Sequence, residues 1–139
     1  ANVQHIKWES LYQGKNTYKY THIGEIVESD INVDETDIKL RIFQMPSSHA
    51  KGSLALLVNN KYCLLGDALY PAHKGDKTVY NAGILKQQID ILKKMAAPYV
   101  LLSHREPFVQ KKQAVISWLE KIYAMREKNE PWIDAGMGE

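Results

Sequence analysis

The spacing of apolar and polar residues changes period along the chain, and each change predicts an element. Over 37–43 the two kinds alternate, with Ile38, Leu40 and Ile42 on one side and Lys39 and Arg41 on the other. That alternation predicts an antiparallel strand with one wet face. Residues 54–58 and 61–65 are short apolar, β-favouring runs joined by Asn59-Asn60. Asparagine tolerates positive φ, so the pair predicts a two-residue primed turn and a β-hairpin. In such a turn Val58 faces Lys61, and counting back along the ladder sets Gly52 opposite Asp67. Over 82–95 the period becomes helical, with Leu85, Ile89, Leu92 and Met95-Ala96 on one stripe. Pro98 opens a strand at 99–102, and a second helix at about 110–127 buries Val115, Trp118-Leu119 and Ile122.

The remaining segments are less regular. Trp8, Leu11 and Tyr12 have helical spacing that Gly14-Lys15-Asn16 interrupts. A strand is expected over 18–28, a polar turn over 29–35, a loop over 68–81, and a frayed tail from Lys128 in which Trp132 docks. The chain divides into a lead-in with the first strand (1–36), a central unit (37–127) and a tail (128–139). The fold class is α/β, a mixed sheet with two helices on one face. The strand 61–65, the helix 82–95 and the strand 99–102 form a crossover unit, which normally makes a right-handed parallel pair.

Ligands of parallel strands gather beyond their carboxyl ends. Asp67 and His104 each follow such an end, and the hairpin brings His49 to the same edge. Two imidazoles and a carboxylate converging there suit Zn, or Fe or Mn. Three ligands leave a position for water, and a bound ion lowers the pKa of that water towards neutrality for hydrolysis. Each residue also has a plain structural reading. His49 would hydrogen-bond within a Ser-rich turn, Asp67 would cap the following loop, and His104 would be a polar residue leading a helix. Convergence of all three favours the site. Ser/His/Asp catalysis is disfavoured, because no Gly-x-Ser-x-Gly elbow occurs.

Composition narrows the function classes. The 139 residues carry a formal net charge of +2 with scattered Lys and Arg, which is no footprint for nucleic acid or an anionic membrane. The pairs Lys93-Lys94 and Lys111-Lys112 read as solvated helix faces. The single cysteine, Cys63, lies in an apolar run and reads as a buried structural thiol, in keeping with a reducing, cytoplasmic setting. No apolar run approaches the roughly 18 residues of a membrane span, and no signal-peptide pattern opens the chain.

The segment Pro46-Ser47-Ser48-His49-Ala50-Lys51-Gly52-Ser53, the hairpin ending Leu65-Gly66-Asp67, and the later strand ending Leu102-Ser103-His104 together resemble the second half of a metallo-β-lactamase superfamily domain. That family has a Gly-His-Thr-x-Gly-Ser turn, a hairpin closing in Gly-Asp and a late Gly-His. Here Ser48 stands for the first glycine, and Ser103 and Arg105 flank His104. The resemblance covers roughly 37–123. It implies half of an αββα sandwich and a metal pair, usually zinc. It further implies that His49 ligates the first metal, Asp67 bridges both and His104 ligates the second. Tyr70 and Lys74, in the loop after Asp67, would contact a small-molecule substrate.

The family's first-half signature, His-x-His-x-Asp-His, is absent, and no His-x-His pair occurs in the sequence. The expectation is therefore a carboxy-terminal portion of a longer hydrolase, acting on an ester, thioester, amide or phosphodiester. The unpaired lead-in and the missing initiator Met agree with it. By itself such a portion would show little turnover and weak metal affinity, or none, with no catalytic residue assignable within it. It would expose an apolar sheet face, for which homodimerisation is the natural relief. The alternative is a stand-alone half-domain that binds a partner and does no chemistry.

Overall fold

Two sheets and two helices organise residues 27–136, the part of the chain that the computed structural model describes. The strand expected over 18–28 lies almost wholly outside these residues. A mixed sheet runs β1-β2-β3-β4-β7-β8, built from β1 (Ile31–Asp34), β2 (Lys39–Gln44), β3 (Leu54–Val58), β4 (Tyr62–Gly66), β7 (Tyr99–Leu102) and β8 (Val109–Lys111). All its pairs are antiparallel except β4 against β7. Helix α1 (Ala82–Lys94) lies between those two parallel strands in sequence, and α2 (Lys112–Ala124) follows β8. A second sheet, β5-β6-β9, joins β5 (Ala72–Lys74), β6 (Lys77–Asn81) and β9 (Trp132–Asp134). The expected α/β class is the one observed.

Alternation along the strands places Phe43, Ala55, Leu57, Cys63, Leu65, Val100 and Leu102 on one face of the large sheet, and all are buried. They share one core with Leu85, Ile89 and Leu92 of α1 and Val115, Leu119 and Ile122 of α2. Both helices therefore cover the same face. Each helix has 13 residues, about the length at which an isolated helix is marginal in water. Burial of each large aliphatic side chain contributes roughly 1.5–3 kcal/mol, so packing on the sheet holds the helices. Asn81 starts α1 by accepting the Ile84 N–H at 3.0 Å, and Lys93 and Lys94 sit in its last turn, where cations complement the helix dipole.

The inward side of β2 is opposite to the one its apolar stripe suggests. Phe43 is buried beneath the helices, whereas Leu40 and Ile42 lie half-buried on the outer face and Ile38 is 46% exposed. Arg41 shares the inner side and lies over the Phe43 ring at 4.8 Å. The outer face continues through Leu56, Tyr62, Leu64 and Leu101, apolar throughout and only partly covered.

The hairpin register also differs by one residue. Asn59 and Asn60 have φ of 51° and 50°, and the Lys61 N–H donates to the Val58 carbonyl at 3.0 Å, as a primed turn requires. Beyond the turn, however, Val58 pairs with Tyr62 and Leu57 with Cys63. A one-residue slip reverses every side chain, and the observed register is the one that buries Cys63 and Leu65 beside Leu57 and Ala55.

Three stretches read as irregular are paired strands. Residues 31–34, expected as turn, form β1 on the edge of β2. The expected loop after Asp67 contains the β5–β6 hairpin, turning at Gly75 with φ 59°. The expected frayed tail supplies β9, with Ile133 buried against Tyr80 of β6. The second helix begins at Lys112 because 109–111 pair with β7. Strands β1, β5, β8 and β9 are only three or four residues long, too short for a period of two to stand out, and β6 and β9 pair across more than 50 residues of sequence.

Candidate metal centre

Parallel pairing of β4 and β7 aligns Gly66 with Leu102, so the two chains leave the sheet side by side. Gly66 turns with φ 54°, and its carbonyl accepts the Ser103 N–H at 3.1 Å. Asp67 and His104 follow directly. His104 itself adopts φ 58°, a left-handed conformation that is uncommon for a side chain of this size.

His49 arrives from the turn between β2 and β3. Ser47 Oγ accepts the N–H groups of His49 and Ala50 at 3.1 and 3.3 Å, and Ser53 Oγ donates to the Ala50 carbonyl at 2.9 Å. Gly52, at φ 76°, closes the turn. Ser48 Oγ accepts the Asn81 N–H at 3.0 Å and ties the turn to the start of α1. Three serines and Gly52 thus build a scaffold whose tip carries the imidazole.

All three predicted ligands meet around Asp67. Its Oδ2 lies 3.9 Å from His49 Nε2, and its Oδ1 lies 3.8 Å from His104 Nε2. Both gaps exceed hydrogen-bond length. They stand nearer the separation of about 3.4 Å that two ligands of one tetrahedral zinc keep. Asp67 Oδ1 is buried and has no hydrogen-bond partner among the described residues, a costly condition for a carboxylate oxygen. His49 Nδ1 lies 3.1 Å from the Pro71 carbonyl. A carbonyl only accepts, so Nδ1–H is the donor there, and Nε2 is the ring nitrogen turned towards Asp67. The His104 side chain is 82% exposed.

Donor types and the orphaned oxygen thus fit a cation. Among the described residues, however, no group of three or more His, Cys, Asp or Glu side chains is arranged to hold a metal ion as it stands. The three meet in two pairs on opposite oxygens of Asp67, not at a single point.

Tyr70 belongs to the same cluster. Its ring lies edge-on to His49 with centroids 6.5 Å apart, and its hydroxyl donates to the Ser103 carbonyl. Burial raises its phenol pKa, with Arg105 opposing and Asp67 adding to the shift. Lys74 is engaged elsewhere, its ammonium 3.6 Å from the centre of the Trp132 ring. His73 is exposed on β5, opposite Thr78.

Gln88 was not anticipated. Fully buried on α1, it donates to the Pro46 carbonyl at 2.6 Å and the Ala68 carbonyl at 2.7 Å. It therefore links the turn that carries His49 to the loop that follows Asp67. The available signal was a polar residue on the apolar stripe of α1, between Leu85 and Leu92. An open groove of about 680 Å³ lies on the α1 side of the His49 turn, lined by Met45, Pro46, Lys51 and Ile84 among others; Asp67 and His104 do not border it.

No protein-family profile, curated protein or solved structure matches the chain. Among the described residues no helix is long and apolar enough to cross a membrane.

Proposed function

We propose that the chain contributes to a metal-dependent hydrolase of the metallo-β-lactamase type, with His49, Asp67 and His104 as part of the ligand set for two divalent ions. Zinc suits the donors first, then Fe or Mn. The observation that carries the reading is the Asp67 carboxylate, whose two oxygens face different imidazoles while the buried one has no hydrogen-bond partner among the described residues. Such a carboxylate suits bridging, with one histidine beside each oxygen. Two donors per ion are too few, so the remaining ligands come from outside residues 27–136. Ions held there would supply Lewis acidity, polarising an ester, thioester, amide or phosphodiester and lowering the pKa of water.

The chain's own residues position. The Pro71 carbonyl sets the His49 tautomer, Tyr70 holds the turn before His104, and Gln88 joins the two loops behind the carboxylate. Tyr70, and Lys74 from the neighbouring hairpin, are the contacts proposed for a small-molecule substrate. The buried Cys63 accords with a reducing, cytoplasmic setting.

Zinc content and chelator competition on the purified chain test the assignment. Asp67→Asn, His49→Ala and His104→Ala are each expected to lower zinc affinity by about tenfold or more, while His73→Ala leaves it unchanged. Zinc uptake equal to wild type in all three cluster variants would end the metal reading.

A second reading has its own observation. The outer face of the large sheet exposes Ile38, Leu64 and Val109 at 46%, 38% and 44%, consistent with a non-catalytic half-domain that pairs with a second copy of the chain. Sedimentation velocity decides it. A dimer that Leu64→Lys turns into a monomer supports this pairing, and a wild-type monomer at all concentrations removes it.

A further inference from the structure

The three arginines of the chain, Arg41, Arg105 and Arg126, all lie over aromatic rings, at 4.8 Å from Phe43, 4.7 Å from Trp118 and 4.1 Å from Tyr123. Two of them also have an acceptor for their N–H groups. Arg41 pairs with Asp30 at 2.7 Å, and Arg126 donates to the Tyr123 carbonyl at 3.0 Å. Arg105 is different. It is only partly exposed, and none of its five donors has an acceptor or a carboxylate partner among the described residues. It directly follows His104, whose ring faces Asp67.

The guanidinium carbon lies 4.7 Å from the centre of the Trp118 ring, a cation–π contact that holds the head group against α2. The N–H edge has no acceptor among the described residues, and the residue is partly exposed. That edge is the fork that matches carboxylate and phosphate oxygens two at a time. An arginine already immobilised loses less side-chain entropy when it engages a ligand. Adjacency in the chain to His104, which lies 3.8 Å from Asp67, puts Arg105 on the His104 side of the cluster.

We propose that Arg105, planted on Trp118, is an anion-recognition residue beside the metal centre, and that the substrate carries a carboxylate or phosphate group away from the bond that is broken. This inference rests on the metal-centre reading for its meaning as a substrate subsite. Arg105 supplies binding and orientation, and the bond-breaking chemistry stays at the cluster. A neutral substrate would leave an oriented, partly desolvated cation without a partner, so the residue also discriminates against uncharged analogues.

Isothermal titration with inorganic phosphate, and separately with succinate, tests it on the full chain, both zinc-loaded and metal-free. In the metal-free protein Arg105→Gln is expected to weaken the better-bound anion by about tenfold. Arg105→Lys, with the charge but not the fork, retains part of the binding, and Arg126→Gln changes nothing. Phosphate affinity above that of succinate assigns a phosphate-bearing substrate, and the reverse order a carboxylate. Zinc loading is expected to strengthen anion binding at least about threefold in wild type but not in Asp67→Asn.

Metal-free binding of both anions that is absent, or unchanged by Arg105→Gln, overturns the proposal. Binding that depends on Arg105 but ignores bound zinc overturns its placement beside the metals. Failure of zinc uptake itself is read separately by metal analysis and concerns the metal reading alone.

Discussion

Tyr70 and Ser103 join the two loops that leave the parallel strands. The Tyr70 hydroxyl donates to the Ser103 carbonyl, one residue before His104 takes its left-handed turn. A residue from the Asp67 side thereby holds the backbone that aims the second imidazole. Tyr70→Phe keeps the ring against His49 but loses this bond. Urea unfolding is expected to show a cost of about 0.5–1.5 kcal/mol, and chelator competition a zinc affinity reduced roughly tenfold. Unchanged zinc affinity alongside the stability loss would confine Tyr70 to a structural role.

Gln88 makes the corresponding link on the other side of the cluster. Replacing it with Leu leaves the Pro46 and Ala68 carbonyls without their buried donor. Its own Oε1 is buried and unpartnered among the described residues, so part of the loss is recovered. A net destabilisation of about 1–3 kcal/mol is expected. Zinc affinity should fall as well, because the two ligand loops are no longer braced together. A variant as stable as wild type would show that the brace is dispensable.

Alkaline pH should weaken the fold through Cys63. Burial pushes its thiol up to about 12, with the Arg41 guanidinium partly opposing, from an ordinary value of 9.0. Between these values the folded chain retains a proton that the unfolded chain has released. Its contribution to stability is therefore complete below about pH 9 and is lost as pH rises towards 12. Burial raises the pKa of Tyr80 too, so its contribution has the same sign. The urea midpoint should stay level from about pH 7 to about pH 9 and fall above it. Cys63→Ala should flatten the first part of that fall. An aromatic or aliphatic thiol reagent should label Cys63 only on unfolding.

Two neighbouring asparagines should respond to glycine in opposite senses. Both have positive φ, which glycine adopts without strain. The Asn59 side chain also accepts the Lys39 N–H at 2.7 Å, whereas among the described residues no such bond involves the Asn60 side chain. Asn60→Gly is expected to stabilise by about 0.5 kcal/mol. Asn59→Gly is expected to destabilise by about 0.5–1 kcal/mol. Thermal or urea unfolding of the two variants, measured side by side, checks the difference in sign.

The amino-acid sequence alone determined the elements whose signals are local. The Asn59-Asn60 turn, the apolar stripe of α1, the parallel crossover and the meeting of His49, Asp67 and His104 at one edge all follow from residue period and connection rules. Period says which residues share a face of a strand, but not which face is covered. Only the tertiary structure decided that Phe43 points inward while Ile38, Leu40 and Ile42 point out, because the helices lie on that side. It also decided the slipped register at Tyr62 and the strands β1, β5, β8 and β9, which are too short to carry a readable period and of which β9 pairs with a strand more than 50 residues away. Gln88 as a brace, and Arg105 as a cation held against Trp118, belong to the same class. A side chain's role in a site depends on the neighbours that folding brings to it, and these lie outside any local window of sequence.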